Sequence, residues 1–182
     1  MRKTLPDRYY LDHFHEFLSF FDGANRVLLT DDALDFIDRF KALDDNAQYI
    51  VARAASRKYA VVVVKTFQYQ EIQAPIETLF LLRQQNWFSR VLNGGAYAIS
   101  QVLTKPHLHQ LLLENGIKMP ASASKNVLVD TFTEAYSKGA ITESGELDSQ
   151  YLFCEFDAVL RFLLFLYFGH TRGRLNQFSM RD

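Results

Sequence analysis

Residues 48–70, QYIVARAASRKYAVVVVKTFQYQ, contain no Asp or Glu yet carry Arg53, Arg57, Lys58 and Lys65. Their apolar period changes midway. Ile50, Val51, Ala54 and Ala55 recur at helical spacing, whereas residues 60–67, AVVVVKTF, form a β-branched run too short for a helix of its own. The stretch therefore predicts a basic helix entering a buried strand. Arg53 and Arg57, four apart, share one stripe of that helix, and a core cannot take in both guanidinium groups without large cost.

The flanking segments are mostly helical. Tyr10, Leu11, Phe14, Phe17, Leu18 and Phe21 mark an amphipathic helix over 8–21, stopped by Gly23. Thr30 with Asp31 and Asp32 opens a second, with Leu34, Ile37 and Phe40 turned inward, and Asp44 and Asp45 begin the basic one. Pro75 suits the first turn of a helix burying Ile76, Leu79 and Phe80, which Trp87 and Phe88 close before a short return strand near 88–92. Together these predict a winged-helix-like unit. After the turn Asn93-Gly94-Gly95, residues 103–132 read as a helix with Leu108, Leu111 and Leu112 buried and Gly116 at its end, a loop to Ser124, then a helix carrying Leu128, Val129 and Phe132. Residues 141–150 are polar and turn-rich, a linker. Residues 151–168 are apolar on nearly every side and predict one long helix that wants a partner layer. His170-Thr171-Arg172-Gly173-Arg174 is a basic turn, and the chain stops at Asp182 as another element begins, which reads as truncation. The expected fold class is mainly α with a small β component.

Formal net charge is −1 and the pI about 6.5, so binding of nucleic acid must be argued from where charges sit. Residues 1–47 hold ten acids against six bases, while 158–180 hold three Arg and no acid. One cysteine, Cys154, rules out an intrachain disulfide; among Tyr151, Leu152, Phe153 and Phe156 it reads as a buried, inert thiol. The N-terminus lacks the apolar core of a signal peptide, and the greasiest run, 162–168, is far short of the roughly 18 residues of a membrane span. Secretion and membrane insertion are not expected.

Catalytic patterns are missing. There is no G-x-S-x-G, Walker loop, G-x-G-x-x-G, H-E-x-x-H or CxxC, and no Asp or Glu has Lys two residues on, the pairing a metal-dependent nuclease of the restriction type requires. His13 with His15, and His107 with His109, are spaced i, i+2 and point to different sides of their helices. What remains is electrostatic. Arg53, Arg57, Lys58 and Lys65, interleaved with Tyr59 and Tyr69, suit a phosphate backbone; equally, they suit a solvated face whose arginines pair with the acidic first helices. Two further readings are a protein-interaction scaffold docking through 151–168, and a self-sufficient metal hydrolase using His13, His15, His107 and His109. Apolar surface left on 151–168 predicts a homodimer or a helix folded back on the chain.

Several segments together resemble the N-terminal half of the Fanconi-associated nuclease family: Leu5-Pro6-x-x-Tyr9-Tyr10-Leu11-x-x-Phe14, Arg53-x-x-x-Arg57-Lys58, Tyr69-x-Glu71-Ile72, the 103–132 hairpin, similar to a SAP domain, and Phe165-Leu166-Tyr167-Phe168-Gly169 with Phe178 and Arg181-Asp182. The resemblance implies a repair nuclease acting on branched and 5′-flap DNA and on interstrand crosslinks. Its cutting would reside in a VRR-NUC domain beyond Asp182, which is where a divalent metal, Mg or Mn, is expected; no cofactor is expected in this chain. It divides the chain into a DNA-binding, winged-helix-like domain at 1–100, a SAP-like hairpin at 101–140, and a linker with the start of a helical-repeat region at 141–182. By this resemblance Arg53, Arg57, Lys58 and Tyr69 match duplex-contacting positions. Lys65 lies one residue from the family's strand lysine, with Thr66 in its place, and Lys125 is the basic residue opening the second SAP-like helix. The partners implied are double-stranded or branched DNA and the remaining domains of the same protein. The compartment implied is the nucleoid-associated cytoplasm in a bacterium or the nucleus in a eukaryote.

Overall fold

Of the strand expected over 60–67 only Val61–Val63 forms, with Val64–Thr66 closing into a 3-10 turn, and its partner is a segment that reads as helix in the sequence. The structure is a computed structural model that describes residues 9–142 and 145–169. Leu5-Pro6, the basic turn at 170–174, Phe178 and Arg181-Asp182 lie outside the described residues. The elements are α1 (Tyr9–Ser19), α2 (Asp31–Ala42), α3 (Asp45–Ala55), β1 (Val61–Val63), α4 (Pro75–Gln84), β2 (Phe88–Arg90), α5 (Gly95–Val102), α6 (Lys105–Glu114), α7 (Lys125–Ser137), α8 (Gly145–Gln150), β3 (Tyr151–Cys154) and α9 (Asp157–Phe168), with 3-10 turns at Gly23–Leu28, Val64–Thr66 and Val91–Gly94. The fold is mainly α with a small sheet, as expected. Packing groups the chain into two units, each discontinuous in sequence: one takes the chain up to Lys58, Phe67–Phe88 and the residues from Glu155, the other Tyr59–Thr66 and Ser89–Cys154.

In the first unit α1 packs on α3, α3 on α4 and α2 on α9. Leu11, Phe14, Phe17, Phe21, Ile37, Phe40, Ile50, Phe67 and Leu79 are among its fully buried side chains. Local chemistry sets the helix ends. Thr30 Oγ1 accepts from the Ala33 amide and Asp44 Oδ1 from the Ala47 amide, satisfying N–H groups that a helix start leaves bare. Helix α4 ends with Asn86 left-handed (φ 67°), its amide donating to Arg83 O and that of Trp87 to Leu82 O, a Schellman closure with asparagine in the glycine position. Buried Gln48 satisfies its amide on Phe40 O.

The second unit holds the three-stranded sheet, in the order β1-β3-β2. β3 runs antiparallel to β1 with Val61, Val62 and Val63 opposite Phe153, Leu152 and Tyr151. The single long helix expected over 151–168 is therefore corrected: Tyr151-Leu152-Phe153-Cys154 is the central strand, and α9 begins only at Asp157. Aromatic residues favour strands, and an apolar run without periodicity does not distinguish a buried strand from a buried helix. The partner layer that the run wanted is α2 for its helical part and β1 for its strand. Cys154 is buried and unbridged.

Helices α6 and α7 pack on each other and α5 on α7, around Leu108, Leu112, Leu128 and Phe132. Between α6 and α7 runs the expected extended loop. Gly116 (φ 81°) turns the end of α6, and the Ile117 amide donates to Leu112 O. Thr104 and Ser124 cap the two helices through the amides of His107 and Val127. Tyr136 OH donates to the Leu92 carbonyl, and Arg90 Nε lies 2.9 Å from Asp148 Oδ2, joining β2 to α8 inside what reads as linker in the sequence.

Candidate functional site

The basic stretch does not form one helix. α3 ends at Ala55 with Ser56 as its cap, so Arg53 lies in the last turn whereas Arg57 and Lys58 follow the helix end. Arg53 and Arg57 nevertheless meet, because both reach Tyr69. This tyrosine sits in the segment between the 3-10 turn Val64–Thr66 and α4, which is fastened to α3 by a reciprocal pair: Asn46 Nδ2 donates to Gln73 O and the Gln73 amide donates to Asn46 Oδ1, both at 2.9 Å. Ile72 anchors the same segment in the core, and its amide donates back to Tyr69 O.

Arg53 is held on three sides. Its Nε and Nη2 donate to Glu71 Oε1 at 3.0 and 2.8 Å, its Cζ stands 3.6 Å from the Tyr10 ring centroid, and the Tyr69 ring centroid is 4.2 Å away. Tyr10 OH donates to the same carboxylate. The Glu71 side chain is only 8% exposed and that of Arg53 32%. Burial alone would raise the Glu71 pKa, but the hydrogen bonds from Tyr10, from its own backbone amide and from Arg53 outweigh it, leaving the carboxyl below its ordinary value. Burial likewise works against the Arg53 cation and is outweighed by Glu71 and Tyr10, so its pKa is raised; burial, reinforced by Glu71, pushes the Tyr10 phenol up as well. Arg53 thus pairs with an acid, but not one from the first helices.

Arg57 differs. Its Nη2 donates to Tyr69 OH at 2.8 Å and its Cζ lies 5.3 Å from the Phe67 ring centroid, while no carboxylate among the described residues pairs with it. Its Nε is buried without a hydrogen-bond partner among the described residues. Phe67 in turn meets Tyr69 edge-on at 5.0 Å. Arg53, Arg57 and Tyr69 are therefore brought together, and Lys58 is exposed next in sequence. Lys65, exposed in its 3-10 turn, and Lys125, exposed at the first position of α7, belong to the second unit.

Tyr10 and Glu71 are the site residues that residue-by-residue reasoning missed. Tyr10 counts there only as part of the apolar stripe of α1. Glu71 is the first acid after the acid-free stretch, and that adjacency, with its place in the Tyr69-x-Glu71-Ile72 segment of the resemblance, is the signal pointing to it. The histidines play other parts: His13 stacks edge-on against Tyr9 at 4.0 Å, His15 lies 5.7 Å from the Phe40 ring, and His107 Nδ1 is 3.3 Å from Tyr151 OH. Among the described residues no three His, Cys, Asp or Glu side chains gather as a metal would require, and no helix is long and apolar enough to cross a membrane.

Residues 8–89 match the family described as FAN1, HTH domain. No curated protein matches the chain. Among solved structures the chain is similar to the crystal structure of paFAN1 bound to 1nt 5′flap DNA with gap, at TM-score 0.72 and 21% identity, over 97% of this chain and 33% of that one. It is also similar to paFAN1 bound to 2nt 5′flap DNA with gap, at the same TM-score and identity, over 98% of this chain and 33% of that one. The chain spans about a third of those chains, and at this identity the likeness is one of fold.

Proposed function

We propose that this chain, whose residues 8–89 belong to the FAN1 HTH domain family, is the DNA-binding part of a structure-specific repair nuclease and grips duplex arms beside a 5′ flap or branch. The observation that carries this reading is Arg57: within the tyrosine cluster it is the guanidinium that no described carboxylate neutralises, and Tyr69 holds it by one nitrogen. With Nε buried, the donors left are those of Nη1 and the second N–H of Nη2, an edge that suits the forked hydrogen bonds a phosphate accepts. Lys58 extends the charge in the same unit, and exposed Lys65 and Lys125 add cations in the other. Contacts of this kind fix position and carry no base information, so the target would be read by shape. Support also comes from the fold shared with paFAN1, which is bound to 5′ flap DNA in both solved structures.

On this reading the loop between α6 and α7 is SAP-like and Lys125 its duplex contact. The cutting step, with Mg or Mn, and the role in crosslink repair belong to a VRR-NUC domain of the parent nuclease. The test is fluorescence anisotropy with 5′-flap and plain duplex DNA across a salt series. Changing Arg57 and Lys58 together to Ala should weaken binding about 10-fold at moderate salt, and shallow the log–log salt slope by about 0.9 for each phosphate that is no longer neutralised. Unchanged affinity and slope would overturn the assignment.

A further inference from the structure

We infer that Glu71, together with Tyr10, is a positioning residue that decides which arginine of the cluster meets phosphate: it absorbs the charge of Arg53, so that Arg53 pins Tyr69 and Tyr69 presents Arg57. This inference rests on the DNA-binding reading above. Arg53 has its Nε–Nη2 edge spent on Glu71 and tyrosine rings beside its plane at 3.6 and 4.2 Å. A phosphate reaching that edge must displace a carboxylate that is almost wholly buried, and would then sit beside it as a like charge. The same phosphate at Arg57 displaces no acid, because none of the described residues offers one.

The order of contacts gives each residue a distinct part. Tyr10, from α1, orients Glu71; Glu71 orients Arg53, from α3; Arg53 lies against the ring of Tyr69; and Tyr69 OH accepts from Arg57. Arg53 thus moves from the set of duplex contacts that the family resemblance implies to the set that holds the contact in place. Aromatic stacking suits that part, since a guanidinium can stack on a tyrosine face while its nitrogens bond within their own plane.

The experiment measures 5′-flap DNA binding of the whole chain against salt concentration for wild type, Arg57→Met, Arg53→Met and Glu71→Gln, with circular dichroism to verify folding. Arg57→Met should shallow the slope by about 0.9, as expected when one phosphate keeps its counterions. Arg53→Met should lower affinity a few-fold with the slope unchanged, since it removes a support and leaves every phosphate neutralised. Glu71→Gln keeps an acceptor oxygen but frees the charge of Arg53, so the slope should steepen, a change that a merely structural role would not produce. It reads the charge alone even where Arg53→Met does not fold. Equal shallowing by Arg53→Met and Arg57→Met, or an unaltered slope in Glu71→Gln, overturns the inference and leaves DNA binding standing. Absence of salt-dependent binding by the wild-type chain overturns the DNA-binding reading, and the inference with it.

Discussion

Replacing Glu71 by Ala leaves the Arg53 guanidinium between two tyrosine rings with no counter-charge, and Tyr10 OH without its acceptor. Removing one partner of a fully buried ion pair costs about 3–5 kcal/mol, whereas an exposed pair is worth about 0–1 kcal/mol. Here the carboxylate is 8% exposed and the arginine 32%, so water can rescue part of the orphaned cation. A cost of about 2–3 kcal/mol follows, which in a chain of this size lowers Tm by about 4–12 °C. The pH dependence has a definite sign. Glu71 has a depressed pKa in the folded state, so its contribution is complete above the unfolded carboxylate value of about 4.3 and is lost as pH falls through the folded value. Urea unfolding followed by circular dichroism should give a constant gap between wild type and Glu71→Ala from pH 6 to 8, narrowing in acid. A variant as stable as wild type at pH 7 would refute the pairing as a source of stability. A gap that persists undiminished at the lowest pH where both proteins fold would assign it to packing instead of charge.

Two other substitutions probe the second unit. A methyl group added at Gly94 would stand 2.4 Å from Cδ2 of Phe153 in β3, so Gly94→Ala should destabilise by about 1–3 kcal/mol in urea unfolding, and Phe153→Leu in the same chain should recover part of that loss. Ser124→Ala removes the acceptor for the Val127 amide at the start of α7; about 1 kcal/mol should be lost, with faster hydrogen exchange in the first turn of that helix.

What could be read along the chain was what local chemistry decides. Thr30, Asp44 and Ser124 open helices through their own side chains, Pro75 sits in the first turn of α4, and Gly116 closes α6. None of these needs a distant partner. Helix α5 was hidden because it starts at Gly95 directly after Asn93-Gly94, where turn residues mask the helix that follows. β3 was hidden for a different reason. Its Tyr151-Leu152-Phe153-Cys154 adjoins an apolar helix, and what makes it a strand is β1, some ninety residues earlier in the chain. Antiparallel pairing at such separation leaves no periodic trace beyond a run that is apolar throughout, because the strand is buried on both faces.

The same division between local and distant governs the site. In sequence Arg53 and Arg57 are equivalent: same residue type, one helical repeat apart, in a stretch free of acids. In space they are opposites, because the loop that Asn46 fastens to α3 returns the carboxylate of Glu71 to Arg53 but only the hydroxyl of Tyr69 to Arg57. Counting charge inside a window treats every cation there as available to a phosphate, yet the counter-ion of one of them lies a single residue beyond the window's end. In a chain of net charge −1, where acids and bases are nearly equal in number, a local excess along the sequence survives folding only at positions to which no returning segment brings an acid. Among the described residues Arg57 meets that condition, past the end of α3 with its side chain against a tyrosine hydroxyl and an aromatic face, and Arg53 does not. On the proposed reading, the charge left to meet phosphate is therefore smaller than residues 48–70 suggest.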